Sequence, residues 1–349
     1  MNSPLPVIDV SGTPAEMGRR YGTEAADLIR ANVESYLSRF ERAVGMGRDE
    51  VARRGATFGF TTRAHFPRIA QMLEGCAEGA DVEPALIYAI NARSELLYGN
   101  PAQECTSIGV LNESTVLAQN WDWHPAQRPY TLLLITRDER GHQVAALTEA
   151  GMLAKAGINN SHLGVCVNLI GCDRDGRPGG VPYHVLLRSV LEADSLSWAT
   201  RNAIRAPRSA SINLLIGQSH VEGGEIIDLE LAPGDVGWLS PQDGILVHAN
   251  HFETSVPVYD TIKDWGGSSL FRSARARRML QEKKSIIDVL RDHHSYPLSI
   301  CRHLDSRDAE LEQSETIWTV VMNLDECSIE LISGPPCTQQ KGFEIKPFD

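Results

Sequence analysis

The 349-residue chain lacks an excess of positive charge: 33 Lys and Arg stand against 45 Asp and Glu, a formal net charge of −12. Binding to a phosphate backbone relies on clustered Lys and Arg, so a nucleic-acid partner is excluded. The one dense basic run, Arg272, Arg275, Arg277 and Arg278, has the spacing of one helix face over 268–284 and reads as solvated. No window is apolar over the length of a membrane span, and Met1-Asn2-Ser3-Pro4-Leu5-Pro6-Val7 has neither the basic start nor the apolar run of a signal peptide. A membrane partner is therefore not expected, and a cytoplasmic location is. The seven cysteines are an odd number with no Cys-x-x-Cys pair, which argues for reduced thiols over a disulfide framework or a zinc site. No metal and no cofactor are expected. Linkers, low-complexity runs and internal repeats are also missing, so the chain reads as one compact unit.

What is present changes character near residue 104. Apolar residues recur at helical spacing over 15–43, 64–78 and 83–97, and Pro84 suits a first helical turn. From Cys105 the period becomes that of strands, at 105–111, 115–122, 130–136, 143–148, 153–158 and 163–169. Helices are expected at 182–192 and 197–205, then strands at 211–216, 225–231 and 245–249. Late helices at 268–284 and 285–293 precede a closing hairpin, 317–323 with 328–333. Strand blocks alternating with helix pairs suggest an α+β fold of two stacked antiparallel sheets covered by helices.

The boundary itself carries the chemistry. Asn112-Glu113-Ser114 supplies turn residues, so the strand from Cys105 folds back about Glu113 and brings Cys105 near Trp121 and Asp122. A chain cut between Glu104 and Cys105 would give Cys105 a free α-amine beside its thiol. An α-amine with a reference pKa of about 8 can take the thiol's proton, so no separate histidine base is needed.

Eight motifs in order resemble one family. They are Gly12-Thr13-Pro14-Ala15-Glu16-Met17-Gly18, Asn91-Ala92-Arg93-Ser94-Glu95, Cys105-Thr106, Gln119-Asn120-Trp121-Asp122, Thr148-Glu149-Ala150-Gly151, Gly180-Val181-Pro182, His248-Ala249-Asn250-His251 and Ser299-Ile300-Cys301-Arg302. None is specific alone; together they resemble the autoproteolytic acyltransferases and hydrolases typified by acyl-CoA:6-aminopenicillanic acid acyltransferase, within the N-terminal-nucleophile hydrolases. The resemblance implies a four-layer αββα sandwich. It also implies self-cleavage into a helical segment, 1–104, and a catalytic region, 105–349, which stay together. Glu104 stands where the penicillin enzyme has Gly.

The resemblance assigns Cys105 as nucleophile, Asp122 as the carboxylate that orients the α-amine, and Asn250 as an oxyanion donor. Arg302 becomes a fixed fork donor to Asp122 or to the substrate acyl group. Asn159, otherwise a hairpin-turn residue, matches a second oxyanion donor of related amidases. Arg93 and Glu95, two apart on a helix, receive structural roles. His248 and His251 lie three apart on a strand end, where side chains point to opposite faces, so shared metal ligation is set aside.

The function expected is hydrolysis of a small N-acyl amide through an acyl-enzyme at Cys105. The alternative is acyl-CoA-dependent N-acyl transfer, and a non-catalytic ligand-binding relative is the weaker third. The expected partners are a small amide or acyl donor such as an acyl-CoA, and the chain's own cleaved N-terminal segment.

Overall fold

A computed structural model of the chain describes residues 3–97, 105–263 and 267–349. Glu104, the first half of the expected cleavage site, lies outside the described residues. In chain order the strands are β1 (Val7–Gly12), β2 (Cys105–Leu111), β3 (Thr115–Trp123), β4 (Thr131–Asp138), β5 (Gln143–Glu149), β6 (Ala156–Asn159), β7 (Leu163–Leu169), β8 (Ile212–Gln218), β9 (Glu225–Ala232), β10 (Asp235–Leu239), β11 (Ile245–His248), β12 (Glu315–Asn323), β13 (Ser328–Ser333) and β14 (Phe343–Ile345). They form two sheets, one ordered β1-β4-β5-β6-β7-β8-β9-β10 and the other β11-β2-β3-β12-β13-β14.

The inner faces meet through small or amide-bearing side chains. Ser107 donates to Asn168 Oδ1 at 2.9 Å, and Gln119 Nε2 donates to the Val167 carbonyl. A Cβ at Gly164 would lie 2.7 Å from the Leu324 side chain, so glycine there lets the sheets close. Helices α7 (Tyr183–Leu191) and α8 (Leu196–Arg205) cover the eight-stranded sheet. The six-stranded sheet is covered by α9 (Ser269–Gln281) and α10 (Ile286–Leu290), over a small core that includes Ile108, Ala118, Val247, Ala276 and Leu290. The layers are αββα, as expected.

Among the described residues the first segment holds the helices α1 (Pro14–Glu24), α2 (Ala26–Val44), α3 (Arg48–His65), α4 (Pro67–Ala80), α5 (Pro84–Asn91) and α6 (Arg93–Leu96). The expected helix over 15–43 is interrupted at Ala25, whose ψ of 18° leaves the helical region. Helix α3 is absent from the hydrophobic pattern because two of its inward positions are glycines. A Cβ at Gly55 would fall 1.9 Å from the Ala85 carbonyl of α5, so backbone packs on backbone and no apolar period marks the face. The segment is also not wholly helical, since β1 lies parallel to β4 with Val7 opposite Leu133.

Buried polar contacts bind this segment to Thr148-Glu149-Ala150-Gly151. Tyr21 accepts from the Gly151 amide at 2.7 Å, and Asn32 and Asn91 donate to the carbonyls of Ala150 and Gly151. Arg93 pairs with Glu149 at 2.9 Å with both side chains buried, and its guanidinium lies 3.8 Å from the Trp123 ring centroid. A buried charge is tolerated only with such a partner, which accounts for the structural role of Arg93.

Candidate active site

Strand pairing places the site. In the β2–β3 ladder Cys105 is opposite Trp121, Thr106 opposite Asn120 and Leu111 opposite Thr115, the register that folding about Glu113 requires. Partners across a ladder share a face, so the Cys105 side chain points between the sheets with Trp121, whereas Asp122 points to the helix-covered face. The thiol lies 3.9 Å from the Asp122 carbonyl oxygen, and the Asp122 carboxylate accepts from Thr316 at 2.6 Å. Thr316 Oγ1 in turn accepts from the Arg302 amide at 3.0 Å, so Asp122, Thr316 and Arg302 form one buried group beneath the strand start.

Asn250 reaches the same point from the end of β11. Its Oδ1 accepts from the Cys105 amide at 2.8 Å and from Arg272 Nη2 at 2.8 Å, which fixes the orientation of the side-chain amide. Its Nδ2 donates to the Leu169 carbonyl at 2.8 Å and retains a second hydrogen. Arg272 corrects the reading of a solvated basic face. It is 1% exposed, and its Nη1 donates to the Cys105 carbonyl at 2.6 Å and to Thr106 Oγ1 at 2.5 Å. Its neighbours Arg275 and Arg277 pair at the half-buried edge with Asp292 and Glu253.

Lys155 went unnoticed in the sequence. Its Nζ lies 5.4 Å from the Trp121 ring and 5.9 Å from the Tyr183 ring, on the thiol's side of the sheet. Burial lowers its pKa to about 8, with Cys105 pulling the other way. Burial also pushes the Cys105 thiol up, and the Lys155 charge is the largest influence bringing it down. A lone Lys inside Met152-Leu153-Ala154-Lys155-Ala156-Gly157-Ile158 was the available signal, because a charge in a buried apolar run requires a reason. Lys155→Met is expected to move the inflection of Cys105 alkylation rate against pH upward, since a stabiliser of the thiolate is removed. An unmoved inflection would show that Lys155 does not act on the thiol.

Asn159 does not join the group. It ends β6, four residues past Lys155 or about 13 Å along a strand. Both its amide hydrogens close the α7–α8 loop, on the Leu191 and Ala193 carbonyls, and its Oδ1 accepts from the Ser161 and Leu163 amides. No donor remains for an oxyanion. His248 and His251 also diverge: His248 Nε2 pairs with Glu230 at 2.8 Å, and His251 Nδ1 meets Ser269 Oγ at 3.0 Å.

A cysteine heading an inner strand of a four-layer αββα sandwich, preceded by a helical segment docked on the same core, defines the N-terminal-nucleophile hydrolase class. The chain belongs to the acyl-coenzyme A:6-aminopenicillanic acid acyl-transferase family, which it matches over residues 110–337. It is an enzyme of the hydrolase and acyltransferase kind. It is 27% identical over 309 residues to the acyl-coenzyme A:6-aminopenicillanic-acid-acyltransferase 40 kDa form of Emericella nidulans, covering 84% of each chain. It is 24% identical over 255 residues to protein dcd1A of Dictyostelium discoideum, covering 61% of this chain and 56% of that one. Among solved structures it resembles the Caenorhabditis elegans N-acylethanolamine-hydrolyzing acid amidase ortholog at a TM-score of 0.43 and 16% identity, over 63% of this chain and 93% of that chain. No helix of the described residues is long and apolar enough to cross a membrane.

Proposed function

We propose that the chain cleaves itself between Glu104 and Cys105 and then hydrolyses a small N-acyl amide through a thioester at Cys105, in the cytoplasm. The observation that carries this reading is the Cys105 amide held by Asn250 Oδ1 at 2.8 Å, with Arg272 gripping both Asn250 and the Cys105 carbonyl. In the uncut chain the thiol attacks the Glu104 carbonyl, the peptide becomes a thioester, and water releases residues 1–104. The nitrogen that Asn250 held is then the α-amine. Asn250 fixes its N–H, leaving the lone pair to take the thiol proton. The thiolate attacks the substrate carbonyl, and the second Nδ2 hydrogen of Asn250 supports the oxyanion. The ammonium then protonates the departing amine, and water attacks the thioester to release the acid.

Asp122 and Arg302 act from below, where Thr316 joins them, as the groups that hold the strand start and tune the amine. The two pieces remain together because Tyr21, Asn32, Asn91 and Arg93 all bond across the junction. A cleft of about 330 Å³ is lined by Arg53, Arg54, Phe58, Glu95 and Arg177. Glu95 accepts from the Tyr183 amide at 2.6 Å, and the Tyr183 ring adjoins Lys155 beside the thiol, so this cleft is the proposed entrance.

Hydrolysis is favoured over transfer because water is always present, whereas transfer requires a second site that excludes it. The test follows the acyl group of an N-acyl amide library with and without a competing amine. Free acid is expected at a rate that the amine leaves unchanged. A new amide formed on the competing amine in place of free acid, from an N-acyl or an acyl-CoA donor, would establish acyl transfer instead.

A further inference from the structure

Four side chains, three from 293–303 and one from position 337, converge at one point that the chemistry above does not use. His293 follows α10, Cys301 and His303 flank Arg302 on the turn toward β12, and Cys337 lies in the short turn Pro336–Thr338 beyond β13. One ligand atom of each lies within 4.8 Å of all the others. His303 Nε2 stands 3.2 Å from His293 Nε2, 3.4 Å from Cys337 Sγ and 3.6 Å from Cys301 Sγ.

Hydrogen bonding does not account for this arrangement. A ring nitrogen carries one hydrogen or one lone pair, so His303 Nε2 can serve only one of the three atoms that face it. A tetrahedral cation serves all four. Zinc bonds of about 2.3 Å to sulfur and about 2.0–2.1 Å to nitrogen give tetrahedral edges of about 3.3 Å between nitrogens and about 3.5 Å between nitrogen and sulfur. The three separations from His303 Nε2 match both edges, and the remaining pairs, all within 4.8 Å, would draw in to the same edges as the side chains turn toward the ion. A disulfide would link Cys301 and Cys337 but would leave the two imidazoles converging on nothing.

The geometry points to a structural zinc site made by His293, Cys301, His303 and Cys337. Two thiols lose their protons on binding, and the two thiolates balance the charge of the dication. Four protein ligands complete the coordination and leave no open position for a substrate, so the site is structural. Its effect is on the turn between the ligands. The Ile300 carbonyl accepts from Asn120 at 2.8 Å and the Arg302 amide donates to Thr316 at 3.0 Å, so the metal would clamp the turn that supports Asp122. His293 and Cys337 are exposed, which gives the metal and a chelator access. The spacing His-x7-Cys-x-His-x33-Cys matches no short zinc motif, which is why the sequence argued against a metal.

The test uses the untagged full-length protein, reduced and stripped of metal. After equilibration with zinc chloride and gel filtration, elemental analysis is expected to find one zinc per chain. Cobalt(II) should give a thiolate-to-metal charge-transfer band and intense tetrahedral d–d bands, both abolished by one equivalent of zinc. Cys337→Ser and His293→Ala, at exposed positions that do not endanger folding, should lose the stoichiometric zinc and the bands, and Cys105→Ala should keep both. No retained zinc and no cobalt spectrum in the reduced wild type would overturn the proposal. So would cobalt bands that survive in Cys337→Ser, or a mass showing the Cys301–Cys337 disulfide in protein prepared without an oxidant.

Discussion

Cys105→Ala is expected to remain a single chain of 349 residues and to have no turnover above background, while the wild type resolves on denaturing mass spectrometry into residues 1–104 and 105–349. Cys105 heads β2 with its thiol turned between the sheets at 3% exposure, its amide on Asn250 and its carbonyl on Arg272. Both flanking peptide groups are therefore held, and in the proposed cleavage the sulfur is the nucleophile. Alanine retains that backbone frame and removes only the attacking atom, so the fold survives and the chemistry does not. Cleavage persisting in Cys105→Ala, or an intact wild type with full activity, would refute self-cleavage by this residue.

Asn250→Ala is expected to lower kcat by roughly 100-fold or more with little change in KM, the pattern of an interaction made mainly in the transition state. The structure gives this residue two tasks. Oδ1 holds the Cys105 nitrogen, and in the proposed reaction the Nδ2 hydrogen not used on the Leu169 carbonyl supports the oxyanion. Arg272 would also lose one of its acceptors while keeping Cys105, Thr106 and Ser268. The fair comparison combines separately produced residues 1–104 with a 105–349 piece that begins at Cys105, since the substitution can block maturation as well. Near wild-type turnover in that protein would remove Asn250 from the mechanism. Backbone amides near Cys105 would then be the remaining candidates, since Asn159 has no free donor.

Much of this arrangement was legible in the sequence because strands announce themselves by alternation. The β2–β3 register followed from the turn at Glu113 alone, and the switch from helical to strand period marked Cys105. Other features left weaker traces. Helix α3 hides its inward face behind glycines, and β1 is short and set among prolines, so neither produced a periodic signal. Arg272 shares its spacing with three arginines of ordinary surface type, and only the packing of α9 on the six-stranded sheet distinguishes it. The Asp122 carboxylate was expected beside the thiol, yet strict alternation sends it to the opposite face, with its carbonyl near the sulfur instead. Asn159 shows the reverse error: the hairpin position was read correctly, and the amide proved to be committed to closing that same turn and its neighbour. The His293, Cys301, His303 and Cys337 cluster draws on three separate turns, so no local spacing revealed it.

The central claim is that an N-terminal Cys105 carries the acyl group. The most direct measurement is intact-mass and peptide mapping of the enzyme quenched in acid within the first turnovers on an activated N-acyl substrate. The account predicts one acyl adduct, confined to the 105–349 fragment, located on a peptide whose first residue is Cys105, and released by hydroxylamine as a thioester. An adduct on another residue, or on an uncleaved chain that turns over at the full rate, would contradict it.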